Sequence, residues 1–125
     1  MSGVVYVNVS VGELCDKFSI LLIKREKITD TSKRFYVNKE IDCLTPLMEK
    51  YRAGAALLFE RLKTINEALW DIEDKIRVKE SRNEFDDEFI SLARLVYKTN
   101  DQRYIVKHQI DNIFNSEIKE IKSYV

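Results

Sequence analysis

Beyond its first nine residues, the chain places apolar side chains three and four positions apart, the period of helices that pack on one face. Leu14, Phe18, Leu21, Leu22 and Ile28 form the first such series, and Ile20 and Ile23 widen it into an arc needing cover on more than one side. Its start is marked by Ser10 and Glu13, an S-x-x-E capping box in which each side chain can satisfy a backbone N–H at the helix entry. A central first helix is expected. Thr29-Asp30-Thr31-Ser32 reads as a stop followed by a fresh cap, and a second helix is predicted from about Ser32 to Tyr51. Its inner positions would be Phe35, Ile41, Leu44, Leu47 and Met48, with Pro46 kinking it or restarting it from Thr45. Arg52-Ala53-Gly54 leads to a third helix from about Ala55 to Ser81. There Leu58, Leu62, Ile65, Leu69, Ile72 and Ile76 repeat like a heptad seam. At roughly 1.5 Å per residue that helix spans about 40 Å, a length that calls for partners throughout and so predicts a homodimer.

Asp86, Asp87 and Glu88 suit the positive end of the next helix, carried by Phe89, Leu92, Ala93, Val96 and Tyr97. Extending that stripe turns Thr99 and Arg103 inward before Val106, Ile110 and Ile113 resume. Either the helix breaks at Lys98-Thr99-Asn100-Asp101, with Thr99 and Gln102 as a second capping box, or polar groups enter the core there. Val4 to Val9, β-branched or aromatic except Asn8, reads as a short strand needing a partner, either Ile118–Val125 or the same strand of a second subunit. Residues 116–125 would be that partner or a frayed end. The expected fold is an all-α antiparallel helical bundle of four to five helices with a short N-terminal strand, one domain over residues 1–125.

Composition narrows function. Lysine plus arginine and aspartate plus glutamate number 21 each, so the net charge is zero, which argues against a dedicated nucleic-acid binder. Three glycines and one proline are too few for a turn-rich sheet protein or a glycine-rich phosphate loop. No apolar stretch approaches the roughly 20 residues that span a bilayer, and no signal peptide is read, so no membrane partner and a cytoplasmic location are expected. Cys15 and Cys43 lack metal-ligand spacing and read as buried reduced thiols. Charge is nevertheless segregated: Lys17–Lys39 carries seven basic and two acidic residues, Glu60–Glu88 six basic and ten acidic. Two surfaces that attract each other, within the molecule or across a dimer, would explain this, as would a basic face for an anionic ligand.

Three polar stripes are candidates for a site. Lys17 and Lys24 share a stripe of the first helix with Glu13, Ile20 and Lys27. On the third, Asn66, Trp70, Glu73, Arg77 and Glu80 run beside the apolar seam, with Asp74 adjacent. Asn100, Arg103 and Lys107 share a later face, with Asp101 nearby. Converging, the cations could hold a phosphate or carboxylate, and Glu73, Asp74 and Asp101 could hold a metal or act as acid and base. The plainer reading makes Glu73–Arg77 and Asp74–Arg77 ordinary helix pairs worth a few tenths of a kcal/mol and Trp70 a core residue. His108, the single histidine, excludes histidine-based metal clusters and reads as structural or solvent-facing.

The leading expectation is a small binding or accessory protein with a polar groove for an anionic small molecule, a sugar phosphate or nucleotide, lined by Lys17, Lys24, Glu73, Asp74, Arg77, Asn100, Asp101, Arg103 and Lys107. It needs no cofactor. One alternative is a phosphate-ester or pyrophosphate hydrolase using magnesium, with three carboxylates around one point. Another is a pure assembly module, with an exposed apolar patch on the long helix and no buried charge.

The acidic spacing, Glu13-x-x-Asp16 and Glu67, Asp71, Asp74, is similar to that of all-α nucleotide pyrophosphohydrolases but lacks their doubled glutamate followed by a third. Chorismate-mutase-like helical enzymes bind a dianion with cations from three helices, as Lys24, Arg25, Arg77 and Arg103 could, without a confirming local motif. Four segments carry a broader resemblance: Val9 to Ile28, Ile65 to Arg77 with its Leu-Trp-Asp-Ile-Glu-Asp string, Leu92 to Arg103 with Tyr-Lys-Thr-Asn-Asp, and Glu120 to Tyr124. Together they resemble a family of small bacterial and phage proteins of unknown function, associated with sugar or surface-polysaccharide genes. The resemblance covers nearly the whole chain and implies no catalytic residue. Pro46 stands where that family has what looks like an unbroken helix.

Overall fold

A computed structural model of the chain describes residues 3–123. Those residues are all-α, with four helices: α1 (Val11–Lys27), α2 (Thr31–Tyr51), α3 (Ala56–Ser81) and α4 (Asp87–Ile113), plus a single 3-10 turn, Ala53–Ala55, between α2 and α3. Among these residues, no helix is long and apolar enough to cross a membrane.

Local chemistry sets the boundaries. The Ser10 hydroxyl accepts the Glu13 N–H at 3.0 Å, the carboxylate of Asp30 accepts that of Lys33 at 2.9 Å, and Asp86 caps α4 through the N–H of Phe89 at 3.0 Å. Both long helices end on an asparagine in the left-handed region, Asn83 at φ 54° and Asn115 at φ 51°. Beyond each, the next N–H returns to the final turn, Glu84 to the Lys79 carbonyl at 3.0 Å and Ser116 to that of Asp111 at 2.9 Å. These are Schellman closures, which asparagine tolerates because its side chain lowers the cost of positive φ.

α1 is central, as its wide apolar arc predicts: it packs on α2, α3 and α4. Leu14, Cys15, Phe18 and Leu21 meet Ile41 and Met48 of α2, Phe59 and Leu62 of α3, and Val106 and Ile110 of α4 in one core. α1 runs antiparallel to α4, since Gly12 meets Asp111 while Asp16 meets Arg103. α3 and α4 form a hairpin, closed at its tip by Lys79 paired with Asp86, Glu84 and Glu88.

At residues 98–101 the alternative in which polar groups enter the core is the one that forms, and several other expectations are corrected. α4 is one helix, so the break at residues 98–101 does not form; Thr99 is buried instead. α2 runs unbroken through Pro46 with no restart, and the Thr45 hydroxyl donates to the Ile41 carbonyl at 2.7 Å rather than capping a new helix. α2 packs closely along α1 and the 3-10 turn but not along either long helix, and Phe35 and Leu47 are exposed, not inward. Cys43 is likewise exposed. No strand occurs among the described residues; Val5, Tyr6 and Val7 have no regular secondary structure and are largely exposed. Tyr124 and Val125, the end of the predicted pairing segment, lie outside the described residues.

Residues 116–123 fold back on α4. The Lys107 ammonium sits between Glu13, at 2.7 Å, and Glu120, in short contact, while His108 Nε2 lies 2.6 Å from the Glu120 carbonyl. The tail is therefore a docked strap. His108 serves as a structural contact.

Candidate functional site

One cleft of about 450 Å³ opens where α1 crosses the α3–α4 hairpin. Ile20 and Ile23 of α1 and Leu69 and Trp70 of α3 form its apolar wall. Asn66, Glu73, Asp74 and Arg77 of α3 and Asn100 and Arg103 of α4 supply polar groups. These α3 residues fall together because 66, 70, 73 and 77 are spaced four, three and four apart, one stripe of a helix.

The floor is a buried polar network. Asp16, 1 % exposed, accepts Arg103 Nε at 2.8 Å and, on its second oxygen, the Arg103 terminal nitrogen in a short contact. Asn66 Nδ2 donates to Asp16 Oδ1 at 2.9 Å and to Ser19 Oγ at 2.8 Å. The remaining terminal nitrogen of Arg103 reaches Asn100 Oδ1 at 3.3 Å. A two-pronged guanidinium–carboxylate pair of this kind is among the stronger charge-assisted interactions. The hydrogen bond to Asp16 raises the Arg103 pKa, against the opposing effect of burial. Arg103 is thus a permanently charged group whose charge is already matched.

Five of the nine expected groove residues, Glu73, Asp74, Arg77, Asn100 and Arg103, share the cleft. The other four do not. Lys17 is paired with Glu40 at 2.7 Å, and with Lys24 it lines an adjoining depression that shares Ile20 and Arg103 with the cleft. Asp101 is exposed, one step round the helix from Asn100. Lys107 is buried under the C-terminal strap; burial alone would lower its pKa, but the hydrogen bonds to Glu120 and Glu13 prevail and raise it. The basic groove therefore divides. In the cleft Glu73 and Asp74 stand beside Arg77, which lies 3.6 Å from Glu73, so with Arg103 matched by Asp16 the rim offers an anionic group one cation, Arg77.

Asp16, Asn66 and Ser19 are the members of the network absent from the expected set, and the first two are its centre. Each of those two had a visible signal: Asp16 stands amid Leu14, Cys15, Phe18 and Ser19 on the apolar arc of α1, and Asn66 follows Leu62 and Ile65 on the seam of α3. A charged residue on an apolar stripe requires a partner on another. Arg103 is that partner.

A model of a family of unknown function, DUF6165, matches residues 5–125. The chain belongs to this family. No curated protein and no solved structure matches it significantly. Family membership agrees with the whole-chain resemblance carried by four segments, of which Ile65–Arg77 and Leu92–Arg103 contribute Asn66, Leu69, Trp70, Glu73, Asp74, Arg77, Asn100 and Arg103 to the cleft.

Among the described residues, no group of three or more His, Cys, Asp or Glu side chains could hold a metal ion. Glu73 and Asp74 share the cleft but Asp101 does not, and Asp16 is committed to Arg103. The three-carboxylate centre that the hydrolase alternative needs is not assembled. The pure assembly module is also a poor fit, because Asp16, Lys107 and Asp111 are buried charges.

Proposed function

We propose that the chain is a small binding or accessory protein whose cleft takes one ring-bearing polar molecule, a sugar, its monophosphate or a nucleotide. The observation that carries this reading is the pairing of a half-buried Trp70 and three aliphatic side chains with Asn66, Asn100, Glu73, Asp74 and Arg77 around one concave space. A ring can lie on the indole while hydroxyls exchange hydrogen bonds with the carboxylates and amides. Arg77, largely exposed, supplies a single charge-assisted bond for a phosphate or carboxylate at the rim. Arg103 holds the floor rather than the ligand. The volume is within the roughly 300–1,000 Å³ of small-molecule sites. An antiparallel bundle in a single domain working in the cytoplasm completes the proposal.

The test is a thermal-shift screen of the purified chain against free sugars, sugar phosphates, nucleotides and magnesium ion. Binding stabilises the native state by about 2.7 kcal/mol at a hundred times the dissociation constant. A shift with one class, reduced by Asn100→Ala and Trp70→Ala and by Arg77→Ala only for charged members, is expected. Shifts untouched by these substitutions would remove the cleft from the account. A shift with magnesium alone would favour the hydrolase.

A further inference from the structure

The common core ends early on the long hairpin: its last members are Leu62, with Ile65 packed on it, on α3 and Val106 on α4. α1 meets the hairpin at Phe59, Asn66, Arg103 and Asp111, and its Ile20 and Ile23 share the cleft with Leu69, Trp70 and Arg77. Outward of the cleft, α4 lies along α3, and α1 sends no residue into the cleft beyond Ile20 and Ile23. Ile90, Ala93, Tyr97 and Asn100 are spaced three, four and three apart, hence one face of α4. Because Asn100 lines the cleft, that stripe continues the cleft outward. Ile90 and Tyr97 are each 54 % exposed, and Phe89 stacks edge-on against Phe85 at 5.2 Å beside them.

We propose that this face joins two copies of the chain, arm against arm. The argument for a second copy is self-complementarity. A two-fold interface brings a surface against itself. On α3 an acid and a base, Glu73 and Arg77, stand two residues either side of Lys75. Antiparallel contact about that point sets Glu73 opposite the partner's Arg77, and Arg77 opposite the partner's Glu73. The apolar stripe of α4 is brought alongside, making four helices around a shared seam. The uncovered face is about 20 Å long and about 20 Å wide, so about 400 Å² in plan and more in relief. Small specific interfaces use roughly 600–800 Å² per partner. The dimer is accordingly weak and concentration-dependent. Its two arms roof the outer end of each cleft. It stands on the stripe and the charge pattern, whether or not the cleft holds a ligand.

Sedimentation of the full chain from about 1 µM to about 200 µM reads the outcome. The mass is expected to rise from 14.8 kDa toward twice that value. Ile90→Glu and Tyr97→Glu, at exposed positions, keep the helical circular dichroism and melting of the parent but hold the chain monomeric. Glu73→Arg weakens the dimer by facing arginine with arginine, and Glu73→Arg with Arg77→Glu restores it. A monomer throughout the range would overturn the proposal. So would a dimer indifferent to Ile90→Glu and Tyr97→Glu, or one abolished instead by deleting residues 1–9. None of these readings depends on ligand binding.

Discussion

Replacing Arg103 by methionine keeps much of the aliphatic stem and removes the guanidinium, leaving Asp16 with a single donor, Asn66 Nδ2 at 2.9 Å. Two of the three side-chain hydrogen bonds to that carboxylate are lost at once. Breaking a buried pair from one side costs about 3–5 kcal/mol, because the surviving charge is stranded. The surviving Asn66 bond and the 28 % exposure of the Arg103 side chain place this case at the lower end, about 3 kcal/mol. For a chain of this length that is a fall in melting temperature of roughly 9–15 °C. Asp16→Leu with Arg103→Met should recover most of the loss, since two apolar groups replace two matched charges. Urea titrations of the four members of this double-mutant cycle, followed by circular dichroism, give a coupling energy of about 1–3 kcal/mol. If Arg103→Met lies within 1 kcal/mol of the parent, or if the two losses simply add, the network does not hold the cleft floor.

Other consequences are as definite. A methyl group on Gly12 would stand 2.5 Å from the Lys107 carbonyl and 2.8 Å from Asp111 Oδ1; Gly12→Ala should therefore destabilise by about 1–3 kcal/mol, and a denaturation midpoint equal to the parent's would contradict the close approach of α1 to α4. Burial, then the nearby carboxylates of Asp111 and Asp16, push the Cys15 thiol up to about 11, so a thiol reagent at pH 8 should modify one cysteine per native chain, the exposed Cys43, and two after unfolding. Because the folded Cys15 pKa is the higher one, its contribution to stability is whole below about pH 9 and is lost as pH rises toward 11. Glu120 behaves oppositely: burial opposes its ionisation but the hydrogen bond from Lys107 prevails and lowers its pKa. The strap's contribution is thus present above the usual carboxylate pKa and lost as pH falls through the depressed value. Limited proteolysis should release residues 116–125 first, at acid pH or in Glu120→Gln, and equal cleavage in Glu120→Gln and the parent at pH 7 would refute the Lys107 clamp.

Much of the architecture could be read from spacing because it is local. The Ser10–Glu13 box fixed the start of α1, the wide arc of Ile20 and Ile23 marked it as central, and the seam from Leu58 to Ile76 gave the length of α3. Where polar and apolar signals conflicted, the outcome depended on residues far away in the chain. Thr99 and Arg103 read equally as a helix break or as polar groups entering the core, and what decides is Asp16, 87 positions from Arg103. Phe35 and Leu47 have the right spacing for burial, yet neither long helix runs closely along α2, and both stay exposed. Val4–Val9 has strand propensity, but propensity without a ladder partner makes no strand. The site was legible in part for the same reason. Helical periodicity gathered Glu73, Asp74 and Arg77 on one stripe and Asn100 with Arg103 on another; it could not show that Lys17 and Lys107 would find carboxylates of their own.

The cleft is the centre of the account, and Trp70, the single tryptophan, reports on it directly. Titrating the chain with glucose 1-phosphate, uridine monophosphate and free glucose while following tryptophan emission is the most direct measurement. The account predicts a saturable change with at least one of them, abolished by Asn100→Ala in a protein that melts as the parent does. Emission unchanged by all three, in a chain whose thermal-shift screen is also flat, would contradict a ligand in this cleft.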